Sequence, residues 1–115
     1  MRTNFNMTDE NITMVKGDTL SFNVIIKDDS GNPVTVDDAI FAIRKSLTSG
    51  AKASVSLGDG ITQDDGVLTV RLAPSVTENL TDQGYFYYDL RIEIDSDVYT
   101  LLKGMILIEM PVDMN

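Results

Sequence analysis

Any chemistry in this chain would have to run on carboxylates, because its 115 residues include no histidine and no cysteine. That removes Ser-His-Asp and Cys-His nucleophile systems together with thiolate and imidazole metal sites. The remaining donors are the adjacent acids Asp28-Asp29, Asp37-Asp38 and Asp64-Asp65, with Asp59 and Asp95-Ser96-Asp97 in other turn-rich stretches. Two carboxylates can act as acid and base across one bond, but neighbours on an extended chain point to opposite faces and cannot flank it. Hard cations are the other chemistry such oxygens serve. Asp28-Asp29-Ser30-Gly31-Asn32 has its glycine at the fourth place and no closing glutamate, so the spacing is not that of an EF-hand. Gly58-Asp59-Gly60 is followed by neither Lys-Ser/Thr nor a helix start, and is a turn, not a phosphate cradle. The acids are assigned to turns. The expectation is no catalytic residue, no cofactor and no metal site.

Charge narrows the partners. Nine Lys+Arg against 18 Asp+Glu give a net charge of −9, and apart from Arg44-Lys45 the cations are scattered singly. A polyphosphate meets a repulsive field with no basic stripe to offset it, so no nucleic-acid partner is expected. Residues 1–10 turn acidic where a signal peptide would be apolar, which predicts synthesis in the cytoplasm without a signal peptide. The longest apolar stretch, Met105 to Met110, is interrupted by Glu109 and falls far short of the ~20 residues a span needs, so no membrane partner is expected.

The elements that would position a site are strands. Leu20, Phe22, Val24 and Ile26 alternate with polar residues. Phe41 and Ile43 mark a strand over Ala39 to Lys45, and Leu68, Val70 and Leu72 keep the two-residue period up to Pro74. Short strands are predicted at Ile12 to Val15, Ala53 to Leu57 and Ile61 to Gln63. Asp28 to Pro33, Leu47 to Lys52 and Asp64-Asp65-Gly66 are predicted as loops or turns. Ser75 to Leu80 is predicted as one helical turn, with Ser75 capping and Glu78 three residues on. The Leu80-x-Asp82-x-Gly84 lead-in to Phe86, Tyr88, Leu90, Ile92 and Ile94 matches the corner that enters the sixth strand of an immunoglobulin-like sandwich. Phe86 stands in the place of the corner tyrosine, without its hydroxyl. The fold class expected is all-β, an immunoglobulin-like antiparallel β-sandwich of about 7–9 strands. It occupies 11–110, between a flexible N-terminal arm at 1–10 and a short C-terminal tail at 111–115.

The last hairpin predicts a surface. With Asp95-Ser96-Asp97 as a three-residue connection, Ile94 faces Val98, Asp89 faces Lys103, Tyr88 covers Gly104 and Phe86 faces Ile106. The outward parity then holds Tyr85, Tyr87, Tyr99, Leu101, Met105 and Leu107. Such a face is unusually apolar for an antiparallel sheet that meets water. These six are the candidate partner-binding residues. The alternatives are cover by the chain's own loops or arm, and a bulge at Gly104 that reverses the parity.

Five segments carry a family resemblance: Lys16-Gly17-Asp18-Thr19-Leu20-Ser21-Phe22, Asp29-Ser30-Gly31-Asn32-Pro33-Val34, Asp65-Gly66-Val67-Leu68-Thr69-Val70, Gly84-x-Phe86-x-Tyr88-Asp89-Leu90 and Leu101-Leu102-Lys103-Gly104. Over about residues 12–110 the chain resembles the N-terminal immunoglobulin-like domain of phage upper-baseplate proteins. The resemblance implies a non-enzymatic structural module of a phage or prophage virion (baseplate, tail or adaptor). Its partners would be other virion proteins or itself as a homo-oligomer. In those proteins further segments follow this domain and reach the receptor-binding protein, whereas this sequence stops at Asn115. Alternatives from the same residues are a capsid decoration protein, and a bacterial surface adhesin or carbohydrate-binding module; the latter expects a signal or anchor and exposed tryptophan.

Overall fold

A computed structural model describes residues 8–9, 11–80 and 84–111. Most of the expected arm, Asp82 of the corner and the end of the tail lie outside the described residues. Among the described residues the chain is all-β apart from one helical turn. Its elements are β1 (Thr8–Asp9), β2 (Ile12–Val15), β3 (Leu20–Ile25), β4 (Asp38–Arg44), β5 (Ala51–Leu57), β6 (Gly60–Asp64), β7 (Val67–Leu72), α1 (Pro74–Thr77), β8 (Gly84–Ile94) and β9 (Asp97–Glu109). Thr8 and Asp9, expected in the arm, pair with Leu102 and Lys103 of β9.

The ladder runs β1-β9-β8-β4-β5-β6-β7-β3, with β2 also beside β9. Where a sandwich predicts two separate sheets, the nine strands among the described residues form one hydrogen-bonded sheet that turns a corner between β5 and β6. The corner is Gly58-Asp59-Gly60. The Ser56 N–H donates to the Asp59 carbonyl and the Gly58 N–H to the Ile61 carbonyl, so the chain steps sideways from β4 to β7 without leaving the ladder. Gly60 has φ of 100°, and a Cβ there would lie 2.5 Å from Val55 Cγ1, so only glycine fits.

Both halves close on one core. Phe41, Ile43, Ile61, Leu68, Val70, Leu72, Phe86, Leu90, Ile106 and Ile108 are all essentially inaccessible, and they come from the inward parity of five strands. Aromatic rings stitch the middle: Phe22 meets Phe41 edge-on at 5.3 Å, and Phe41 lies 5.6 Å from Tyr88. Phe86, which replaces the corner tyrosine, is buried with the Lys45 ammonium 4.6 Å above its ring.

The helical turn forms, but not with the expected cap. Pro74 occupies its first turn and Ala73 is the N-cap, with no side-chain cap bond. Pro74, with its fixed φ and no N–H to satisfy, starts the helix one residue earlier, so Ser75 lies inside it and not at its cap. Thr77 anchors the turn instead, its buried hydroxyl donating to the Asp18 carbonyl at 2.8 Å.

Candidate functional site

The site is built on the β8–β9 hairpin. From Gly84 to Leu90 the pairing is as expected: Tyr85 with Leu107, Phe86 with Ile106, Tyr87 with Met105, Tyr88 with Gly104, Asp89 with Lys103 and Leu90 with Leu102. The turn differs. Asp95 and Ser96 alone make it, with φ of 51° and 72°, so Ile94 faces Asp97 and Glu93 faces Val98. A two-residue turn with both residues left-handed matches the twist of the strands, which a three-residue connection without glycine does less well. The extra residue is absorbed further along, where the register shifts between Leu90 and Arg91 and leaves Leu101 unpaired as a bulge. Gly104 stays in register.

The bulge reverses the parity of the strand between it and the turn. Tyr99 faces Ile92 and packs against the core, and Leu101 is only 6% exposed. These two of the six candidates are therefore inward residues, a correction to the expected outer face. Tyr85, Tyr87, Met105 and Leu107 remain outside. Tyr85 is 58% exposed, and the other three are half-buried.

A third strand widens this face. β4 lies on the other side of β8 and places Asp38 beside Glu93, Ile40 beside Arg91, Ala42 beside Asp89 and Arg44 beside Tyr87. Ile40 is 45% exposed, and Val98, paired with Glu93, is 58% exposed. Ile40 was missed because the apolar outward parity was sought only in the last hairpin, although Ala39-Ile40-Phe41-Ala42-Ile43 is apolar on both parities. Val98 was missed because the three-residue connection set it opposite Ile94, on the inward parity.

The outward residues of these strands leave a depression of about 550 Å³ over Ala42 and the backbone at Gly104. Arg44, Tyr87, Asp89, Lys103 and Met105 surround it, and Leu47 overhangs from the loop after β4. Asn11 reaches its rim, with its side-chain carbonyl accepting the Met105 N–H at 3.3 Å. Three cations, Arg44, Arg91 and Lys103, stand among four anions, Asp38, Asp89, Glu93 and Glu109, at the outward positions. In a chain of net charge −9 this face is close to neutral.

The acidic pairs serve loops. Asp28 Oδ1 accepts the N–H groups of Ser30 and Asn32 at 2.9 Å each, closing the turn that Gly31 completes. Asp37 Oδ2 accepts the Asp95 N–H at 2.9 Å and ties the hairpin tip to the entry of β4. Among the described residues no three acidic side chains converge as a cation site would need. No helix among them is long and apolar enough to cross a membrane. Comparison of the chain with protein-family models and with curated proteins finds no match.

Proposed function

We propose that this chain is a non-enzymatic assembly module that docks a protein partner through the outer face of β4, β8 and β9, as part of a phage or prophage virion. One observation carries the docking assignment. These three strands present Tyr85, Tyr87, Ile40, Met105 and Val98 outward among nearly balanced charges, where a solvated sheet face is ordinarily polar. Aromatic and methionine side chains flanked by paired charges are the composition of an interface centre and its rim. The ladder makes the platform stiff, so little ordering cost opposes docking.

The virion part of the reading rests on the sequence resemblance alone; the strand order bears on the fold which that resemblance implies. Lettered in chain order from β2, the pairs β3–β7 and β7–β6 correspond to strands B–E–D of an immunoglobulin-like sandwich. The run β5-β4-β8-β9 corresponds to C′–C–F–G. The parallel pairing of β2 with β9 moves the first strand from the B edge to the G edge.

The test is Tyr87→Glu and Tyr85→Glu. Both side chains lie on the outer face, so the variants should unfold within about 0.5 kcal/mol of the parent while incorporation into assembled particles falls. Full incorporation by both variants removes this face as the interface.

A further inference from the structure

The sheet also has an open side, and it is unguarded. Among the described residues β3 pairs only with β7, because β1 and β2 both lie against β9. The Ile26 N–H donates to the Gly66 carbonyl at 2.7 Å, and residues that alternate with Ile26 share its direction. Leu20, Phe22 and Val24 are thus bonded across to β7. Ser21, Asn23 and Ile25 aim their N–H and C=O groups at the open edge.

Edge strands ordinarily carry a lysine, a proline, a bulge or an inward charge that blocks further pairing. β3 reads Leu-Ser-Phe-Asn-Val-Ile, with no charge and no proline, and its register with β7 is unbroken over six residues. Its inward side chains are also incompletely covered. Leu20, Phe22 and Val24 are half-buried, whereas Leu68, Val70 and Leu72 opposite them are at most 1% exposed. Ile25 at the end of the strand is 67% exposed.

We propose that β3 pairs antiparallel with β3 of a second copy of this chain, extending the sheet across a two-fold axis. The axis must preserve the two faces of the sheet, so it passes through a residue and not between two. Centred on Phe22, it sets Phe22 against its own copy, Leu20 against Val24 and Ser21 against Asn23. All inward side chains then meet inward ones. β3 itself carries no charge, so in a chain of net charge −9 a copy of this strand can approach along all six residues without setting like charges against each other. One six-residue edge buries less than the ~1,200–2,000 Å² of a standard interface, so the dimer is weak, and screening of two −9 chains by salt strengthens it.

The experiment combines sedimentation equilibrium with amide hydrogen exchange on the full chain at low and at roughly millimolar concentration, near the weak end of specific association. The expected result is a concentration-dependent dimer in which the Ser21, Asn23 and Ile25 amides gain protection, while those of Leu20, Phe22 and Val24 are protected at both concentrations. Ser21→Lys places the missing guard on an exposed position and should weaken association at least tenfold. Asn23→Pro removes an outward amide that β7 does not use and should do the same. Tyr87→Glu should dimerise as the parent does, which separates this edge from the outer face. A monomer at high concentration, a dimer without the alternating protection, or undiminished dimerisation of Ser21→Lys overturns the proposal.

Discussion

Leu101→Ala tests the bulge, and through it the composition of the outer face. Were the hairpin closed by three residues, Leu101 would point to solvent and its truncation would cost within about 0.5 kcal/mol, as surface changes do. In the structure its side chain is 6% exposed and lies over the inward row formed by Leu90, Ile92 and Leu102. Truncating a buried leucine removes its transfer free energy and leaves a cavity, together about 2–4 kcal/mol. Against a total stability of ~5–15 kcal/mol this is large. The urea midpoint should fall by about 1–2 M at unchanged slope, and the melting temperature by about 10–15 °C. Met105→Ala is the internal control, since Met105 is half-buried on the opposite face and its truncation should cost about 1 kcal/mol or less. A Leu101→Ala cost under about 0.5 kcal/mol, or one no larger than that of Met105→Ala, would refute the bulge and return Leu101 and Tyr99 to the outer face.

Three further outcomes follow from particular contacts. Gly31 and Gly66 have nearly the same φ, 82° and 80°, but a Cβ at Gly31 meets nothing within 4 Å, whereas one at Gly66 would lie 2.7 Å from Pro33 Cβ and 2.9 Å from the Ile26 carbonyl. Gly31→Ala should therefore cost only the left-handed strain of about 1–2 kcal/mol, and Gly66→Ala about 1–3 kcal/mol more; equal urea midpoints would contradict the contact between those two turns. Ser96 sits at φ of 72° in the hairpin turn, so Ser96→Gly should stabilise the chain by about 0.5–1 kcal/mol in the same unfolding assay. Thr77→Val keeps the buried shape but leaves the Asp18 carbonyl without its 2.8 Å donor, for an expected loss of about 1–3 kcal/mol by thermal unfolding.

The strands were legible wherever one face is buried and the other is wet. β3, β7 and the first half of β8 follow the two-residue period, and the positions expected inside at Phe41, Ile43, Leu68 and Val70 are inside. The hairpin register from Gly84 to Leu90 was legible for a second reason, the agreement of Asp89 with Lys103 and Tyr88 with Gly104. What failed was the choice between two ways of placing one surplus residue. Asp95-Ser96-Asp97 as a loop and Asp95-Ser96 with a bulge at Leu101 give identical pairing beyond Leu102, so no pattern there distinguishes them. Leucine is equally at home on either side in such a pattern. The corner at Gly58 to Gly60 was legible as a turn but not as a link that keeps the ladder continuous, because that depends on hydrogen bonds between residues only a few positions apart.

Relocating Tyr99 and Leu101 sharpens the outer surface. The original six residues formed a strip along the whole hairpin, and such a strip would have had no border. With the tip reassigned, the apolar outward residues of the hairpin divide into Tyr85, Tyr87, Met105 and Leu107 near the open end and Val98 beside Ile40 near the tip. Asp89, Lys103 and Arg91 cross between them. Desolvated charge pairs between apolar patches cost a non-specific partner more than they cost a complementary one, because only the latter replaces the lost hydration with matched charge. If this face docks a partner as proposed, the arrangement would select among partners instead of being merely adhesive. Reversing the central pair, Asp89→Lys with Lys103→Asp, should keep the fold, since the cross-strand pair survives the exchange, while weakening a partner matched to the original polarity. If the exchanged chain incorporates into particles as the parent does, the charges are spectators and docking is carried by the apolar residues alone.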